Sequence, residues 1–475
     1  MKNYCISLFL VLVFASIHFS ACSQQIQVST KNKRASSEFY KALDLYNKYE
    51  YLRAEQGFLR AIELDPKFLE AHQLLAAVYE ETKQFEKAIA HYEKVLELKP
   101  SFFPNNYILA GNLSMKTGQY EKAIKLYTAY SKLSSQSVSF ALQQQSYTFI
   151  EKATFALHLK NNPVPFNPIN LGSNINTPNS EYSPTLTADE QTLYFTVARP
   201  SDQYTLCENC KDEEDFYISR KINGEWSRGI PLGHPINTRG NEGAASISPD
   251  GMFFYFTACN RDDGYGSCDL YVSQREKGRW STPINMGNTV NSRQWDSQPS
   301  IAPDGKTLYF ASARNGKMDI YVTVLDENGH WSEPQNLGTP INTEKSEMSP
   351  FIHPDGRTLY FTSDGHPGLG GFDLFLSRKQ EDGTWSEPEN LGYPINTHHD
   401  EGFFIVNASG NTAYFASNKL EGYGRHDLFS FELHEKARPT PVTYLKGIVA
   451  DAESEKKLKA HFELFDLETG NLVVR

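Results

Sequence analysis

The stretch His353-Pro354-Asp355-Gly356-Arg357-Thr358-Leu359-Tyr360-Phe361, "HPDGRTLYF", places a histidine, a carboxylate and a glycine within four residues. Its reading decides the fold, because it is one of five copies. "SPDGMFFYF" begins at Ser248 and "APDGKTLYF" at Ala302, with weaker copies "TADEQTLYF" from Thr187 and "NASGNTAYF" from Asn407. The histidine occurs in one copy only, so the motif works without it. Proline pre-sets φ for a turn, aspartate bonds to nearby backbone, and glycine takes the positive φ that other residues resist. Asp-Gly between alternating apolar runs signals a hairpin. The motif reads as a turn and not as an active site.

Around each turn a longer unit repeats. "NLGSNIN" at Asn170 returns as "PLGHPIN", "NMGNTVN", "NLGTPIN" and "NLGYPIN". Its Leu or Met stands at Leu171, Leu232, Met286, Leu337 and Leu391, with spacings of 61, 54, 51 and 54. Each unit reads as four short strands, in the fourth copy "EMSPFIHP", "RTLYFTS", "FDLFLSRKQ" and "TWSEPENLG". Four aromatic-rich strands per repeat of this length predict a β-propeller blade. The Trp-bearing fourth strand occurs four times, led by Trp226, Trp280, Trp331 and Trp385. The last unit lacks one, but "VPFNPINLG" precedes the first unit. That segment completes a fifth blade and closes the ring by pairing the two ends, which leaves no open edge.

Upstream the period is helical. "YEYLRAEQGFLRAIELDP", "KQFEKAIAHYEKVLELKP" and "GQYEKAIKLYTAYSKL" align. Ala54 and Ala88, Phe58 and Tyr92, and Pro66 and Pro100 are each 34 residues apart. This spacing of small residue, aromatic and helix-stopping proline resembles the tetratricopeptide repeat. The helical residues from Gln136 to Lys160 read as a cap on the array. Two roles stand side by side, a concave groove for a peptide or protein, and a rigid spacer. "NNPVPFNP", from Asn161, is the linker to the strands.

The N-terminus reads as a targeting segment. Met1-Lys2 is followed by an apolar run from Ile6 to Ile17 and by "HFSAC" ending at Cys22. Ser20-Ala21-Cys22 resembles a bacterial lipobox, which implies lipidation of Cys22. With Ser23 next and no acidic run following, the resemblance implies an outer-membrane anchor facing the periplasm. The net charge of −11 argues against a nucleic-acid partner.

Aligning the repeats brings out an acid in every one, Glu181, Glu242, Asp296, Glu347 and Glu401, and an asparagine, Asn176, Asn237, Asn291, Asn342 and Asn396. A second acidic set, Asp215, Asp269, Asp319, Asp373 and Asp427, precedes each third strand. If the first acids cluster at one channel mouth, they form a face for a divalent cation or for a basic segment of a partner. The alternative is that each acid serves its own blade by capping backbone N–H groups. "THHDEG", including His398 and Glu401, falls in the same variable loop and reads as solvated loop.

Cys207 and Cys210, and Cys259 and Cys268, sit in neighbouring loops; an even count in an exported chain favours disulfides, with a four-cysteine zinc site as the alternative. No nucleophile elbow, H-E-x-x-H or phosphate loop occurs. No cofactor is expected, beyond the divalent cation that the acidic face would take.

The repeat pattern, as in "SPDGMFFYF" and "APDGKTLYFASARNGKMDIY", resembles the PD40, WD40-like repeat of TolB-like propellers. Signal, lipobox, tetratricopeptide repeats and propeller in this order are similar to the OmpA-like, PorE-type family of Bacteroidota periplasmic lipoproteins, which includes type IX secretion components. "YLKGIVADAESEKKLKAHFELFDLETGNLVV", from Tyr444, resembles the opening strands of a carboxypeptidase-regulatory-like β-sandwich. The OmpA-like, peptidoglycan-binding domain that the resemblance implies is not among these residues; either the chain is a fragment or it departs from the family.

The expected architecture is multidomain, α then β: signal peptide 1–21, tether 22–34, tetratricopeptide repeats with capping helices 35–160, five-bladed propeller 161–440 and an incomplete sandwich 441–475. The expected function is a non-enzymatic scaffold, anchored to the outer membrane. It would bind envelope or secretion proteins, and peptidoglycan through the further domain. The alternative is a carbohydrate-active propeller glycosidase or lyase, since paired carboxylates cleave glycosides.

Overall fold

The computed structural model describes residues 28–134, 138–200, 212–443, 449–451, 458, 463–465 and 472–474. The chain forms two compact units that divide between Glu151 and Lys152. No described helix is long and apolar enough to cross a membrane.

The first unit is a run of antiparallel helix pairs: α1 (Lys33–Asn47) with α2 (Tyr51–Leu64), α3 (Leu69–Glu81) with α4 (Phe85–Leu98), and α5 (Asn106–Lys116) with α6 (Tyr120–Ser131). A longer helix, α7 (Phe140–Asn161), follows. Asn32 caps α1, its Oδ1 accepting from the Arg34 and Ala35 N–H groups. The repeated alanines Ala54, Ala61 and Ala88 are fully buried, which lets the helices close on one another. Gly57 shows how tight the contact is: a Cβ there would stand 2.7 Å from the Ala42 Cβ. Phe39, Phe58 and Phe68 fill the space between α1 and α2. Pro66 and Pro100 stand just past the C-caps Asp65 and Lys99 of α2 and α4, where a missing N–H keeps each helix from continuing.

The second unit holds five antiparallel sheets in sequence order. Blade 1 comprises Ser180–Leu186, Thr192–Pro200, Asp212–Ile222 and Ile230–Pro231. Blade 2 comprises Asn241–Ile247, Phe253–Cys259, Cys268–Glu276 and Ile284–Asn285. Blade 3 comprises Asp296–Ile301, Thr307–Ser312, Asp319–Val324 and Gln335–Asn336. Blade 4 comprises Glu347–Ile352, Thr358–Ser363, Asp373–Arg378 and Glu389–Asn390.

Blade 5 takes Ile405–Val406, Thr412–Ser417 and Asp427–Glu432 from the end of the run and its outer strand, Ile169–Asn170, from the beginning. Ile169 pairs with Ser430 and Asn170 with Phe429, so the ring closes as the count of fourth strands predicts. Apolar side chains fill the seams between blades. Tyr194 and Phe216 of blade 1 meet Phe254 and Phe256 of blade 2, and Ile175, Leu193 and Phe195 meet Leu428 where blade 1 closes on blade 5. The tryptophans work in these seams too, Trp331 lying edge-on to Tyr255 of the preceding blade.

The turn motif behaves as its residues dictate. Gly251, Gly305, Gly356 and Gly410 take φ of 70, 68, 69 and 77°. Asp355 Oδ1 accepts from the Arg357 and Thr358 N–H groups at 2.9 Å each. His353 is fully buried, with Nε2 3.0 Å from the Asn407 carbonyl and Nδ1 accepting from the Asp355 N–H. It joins blades 4 and 5. Of the sandwich expected after residue 441, only short pieces are described, among them Leu464–Phe465 paired with Leu472–Val474.

Candidate functional site

The innermost strand of each blade carries a feature that no residue type announces. Two residues after each repeated acid the backbone turns left-handed, at Ser183, Ala244, Gln298, Ser349 and Phe403, with φ of 49, 48, 58, 52 and 52°. None is glycine, and non-glycine residues pay for this conformation. In blades 1 to 4 the register to the second strand shifts at this point, which makes it a β-bulge. The bulges line a central cavity of ≈ 150 Å³ together with Pro184, Pro299, Pro350 and the turn residues Pro249, Pro303 and Pro354. Glu190 is the one ionisable side chain in that lining.

The five acids take no part in the wall, which corrects the expectation of an acidic channel mouth. Glu181, Glu242, Asp296 and Glu347 are fully buried, and Glu401 is partly buried. Each carboxylate turns back onto the residue four positions before it. Glu242 accepts from Thr238 N at 2.9 Å and Thr238 Oγ1 at 2.5 Å. Glu181 binds Thr177, Asp296 binds Ser292, Glu347 binds Thr343 and Glu401 binds Thr397 in the same way. The acids cap their own inter-blade loops, the second of the two readings weighed for them, and as a set they line no common cavity. Among the described residues no group of three or more His, Cys, Asp or Glu could hold a metal ion.

The asparagines complete the same loops. Asn342 accepts from the Ile320 N–H and donates to the Ile320 carbonyl, both at 2.9 Å. Asn176, Asn237, Asn291 and Asn396 clasp Leu428, Phe216, Leu270 and Leu374 likewise. Each amide thus supplies one rung of a strand to the third strand of the preceding blade. The second acidic set is also structural: Asp427 accepts from the Tyr423 and Gly424 N–H groups and from Asn170 Nδ2. Asp319 accepts from Lys317 and Asn336, Asp215 from Arg199, Asp269 from Tyr265 and Gly266, and Asp373 from Leu369.

The electrostatic state of the acids differs between blades. Arg261 Nη2 donates to Glu242 at 2.8 Å, and Arg314 Nη2 to Asp296 at 2.8 Å. Glu347 receives Ser363 Oγ at 2.7 Å. Among the described residues no Lys, Arg or His pairs with Glu181 or Glu401. Burial raises the Glu242 carboxyl even beside Arg261, and with no cation opposing it pushes that of Glu181 up to about 7 and that of Glu401 up to about 8. The arginine two residues after the second strand in blades 2 and 3, Arg261 and Arg314, is the signal that sequence reading missed.

Cys259 and Cys268 are joined, pairing directly across the second and third strands of blade 2. With those thiols consumed, a four-cysteine zinc site does not form. Cys207, Cys210 and Cys22 lie outside the described residues. His398 and His399 stack at 3.9 Å in the loop before Glu401, where Asp400 Oδ1 accepts from the Phe372 N–H.

The chain is thus a tetratricopeptide-repeat array followed by a five-bladed propeller. Comparison with known proteins bears on the array: residues 69–102 and 104–137 match two family models, each described as tetratricopeptide repeat. These matches fall on α3–α4 and α5–α6. No curated protein matches the chain. Among solved structures, TolB from Acinetobacter baumannii is similar at 18% identity over 53% of this chain and 54% of its own, with a TM-score of 0.35. The chain spans about half the length of that TolB structure. The TPR2B domain of yeast Sti1, solved in a pHsp70 complex, is similar at 18% identity over 26% of this chain and 98% of its own, TM-score 0.23. The Yersinia enterocolitica type III secretion chaperone SycD, solved with a peptide of the translocator YopD, is similar at 15% identity over 26% and 95%, TM-score 0.23.

Proposed function

We propose that this protein is a non-enzymatic scaffold held to the outer membrane through a lipid on Cys22, where it gathers protein partners in envelope assembly or type IX secretion. The observation that carries the reading is the coincidence of two tandem tetratricopeptide matches with two successive helix pairs. Repeats of this kind stack into a concave surface that takes peptides or partner proteins. Support for a non-enzymatic propeller comes from its carboxylates. Glycoside cleavage needs two acids facing one cavity. Here the repeated acids are committed to loop caps, and the channel lining has Glu190 alone. The lipobox resemblance supports the anchor, and the family resemblance supports peptidoglycan contact through a further domain.

The test is cross-linking in intact envelopes, followed by purification of the protein and of a Cys22→Ala version. Outer-membrane secretion components and peptidoglycan fragments recovered with the first and depleted from the second support the tethered scaffold. A protein that fractionates identically with and without Cys22 and recovers no partner overturns it.

A further inference from the structure

A cation slot recurs in the blades. In blade 3 the Arg314 guanidinium lies over Phe310 and Tyr321, 5.3 and 4.7 Å from the ring centroids. Its Nη2 donates to Asp296 at 2.8 Å and to the Val290 carbonyl at 2.7 Å. Blade 2 repeats the arrangement with Arg261 over Phe256 and Tyr271, donating to Glu242 and to the Ile236 carbonyl. In blade 4, His366 packs against Phe361 and Phe375 and reaches the Ile341 carbonyl at 2.9 Å. In each case the slot consists of a cross-strand aromatic pair and a carbonyl six residues before the acid; in blades 2 and 3 the acid itself completes it.

Blade 5 has the same parts without the cation. Glu401 is the acid, Ile395 stands six residues before it, and Phe415 and Phe429 form the aromatic pair at 5.8 Å. The residue aligned with Arg314 is Lys419 ("TLYFASAR" against "TAYFASNK"), which is exposed and makes no ion pair with Glu401. The slot is also open. Glu401, Phe415 and Ser417 are partly exposed, whereas their blade 3 counterparts Asp296, Phe310 and Ser312 are each 0% exposed. The opening has a backbone cause. In blade 3 the first and second strands pair as far as Asp296 with Ser312, but in blade 5 only Ile405–Tyr414 and Val406–Ala413 pair. A Cβ built on Gly402 meets no atom within 4 Å.

We propose that this opening in blade 5 binds an arginine side chain of a partner protein, carried on an extended segment, with its guanidinium on Glu401 and over the Phe415–Phe429 pair. A guanidinium fits because its planar fork serves a carboxylate and a carbonyl at once while stacking on aromatic faces, which an ammonium does not match. An extended segment fits because 402–404 lack a ladder partner in the second strand and 415–417 pair only with the third, the Glu401 N–H being held by the Phe372 carbonyl. The site lies within the second unit and stands whether or not the helical array binds a peptide.

The probe is a fluorescein-labelled heptapeptide of threonine and valine with a central arginine, compared by anisotropy with the same peptide carrying uncharged citrulline. With the full chain, the arginine peptide binds at least about tenfold tighter. Glu401→Gln, which still offers Thr397 an oxygen acceptor but cannot ionise against a guanidinium, abolishes the preference. Lys419→Arg supplies the guanidinium in cis, so it weakens peptide binding and raises the thermal midpoint. Equal binding of the two peptides, a preference that survives Glu401→Gln, or no binding of the arginine peptide at millimolar concentration overturns the proposal.

Discussion

Asn396 holds Leu374 by both backbone groups, accepting from its N–H at 2.7 Å and donating to its carbonyl at 2.8 Å. One side chain thus performs the work of a strand residue across the seam from blade 4 to blade 5. Both groups are buried, so nothing else can satisfy them if the amide is lost.

Asn396→Ala should therefore lower unfolding stability by about 2–3 kcal/mol, the cost of stranding a buried donor and acceptor. Urea denaturation reads it directly. A loss below about 0.5 kcal/mol would mean that water replaces the clasp.

Arg314→Met keeps the packing over Phe310 and Tyr321 but leaves Asp296 buried without its cation. The expected loss is about 3–5 kcal/mol. Adding Asp296→Asn to the same chain should recover most of it, because the uncompensated charge is what costs. A double-mutant cycle with no coupling would contradict the pairing.

Glu181 and Glu401 set a pH dependence of definite sign. Burial raises their carboxyls from 4.5 to about 7 and about 8. Between those limits the folded chain holds protons that the unfolded chain has released, so stability falls as pH rises. Their contribution makes the urea midpoint higher near about pH 5.5 than near about pH 8.5, and Glu401→Gln flattens the difference. An unchanged slope in that variant would show Glu401 to be ionised throughout.

Reducing the Cys259–Cys268 disulfide opens a loop with a sequence separation of 9. The chain-entropy relation gives a loss of about 2.5 kcal/mol. Thermal melts with and without a thiol reductant measure it, with a Cys259→Ser, Cys268→Ser chain as the reference whose own response to reductant, through Cys207 and Cys210, is subtracted.

Much of this protein is legible as period. The 34-residue spacing of Ala54 and Ala88, the five Pro-Asp-Gly-like turns and the fourth strand stranded ahead of blade 1 are local patterns. Helix pairing, hairpins and ring closure follow from them, since each depends on residues near in sequence or on a count. That the acids cap their own loops was legible as one of two readings, but which of them also meets a cation was not. Glu242 and Glu401 occupy the same place in the repeat, yet one is paired with Arg261 and the other meets no described cation. Nor did any glycine mark the left-handed turn at Ser183 or Gln298 that places the acids behind the channel wall. The modules, their number and their turns follow from the order of residues, because periodic burial and backbone stereochemistry act over a few residues. Which carboxylates are spent within a blade and which remain open was decided by the tertiary structure alone, because a side chain's direction at a bulge, and the cation that reaches it, depend on strands brought together only when the ring closes.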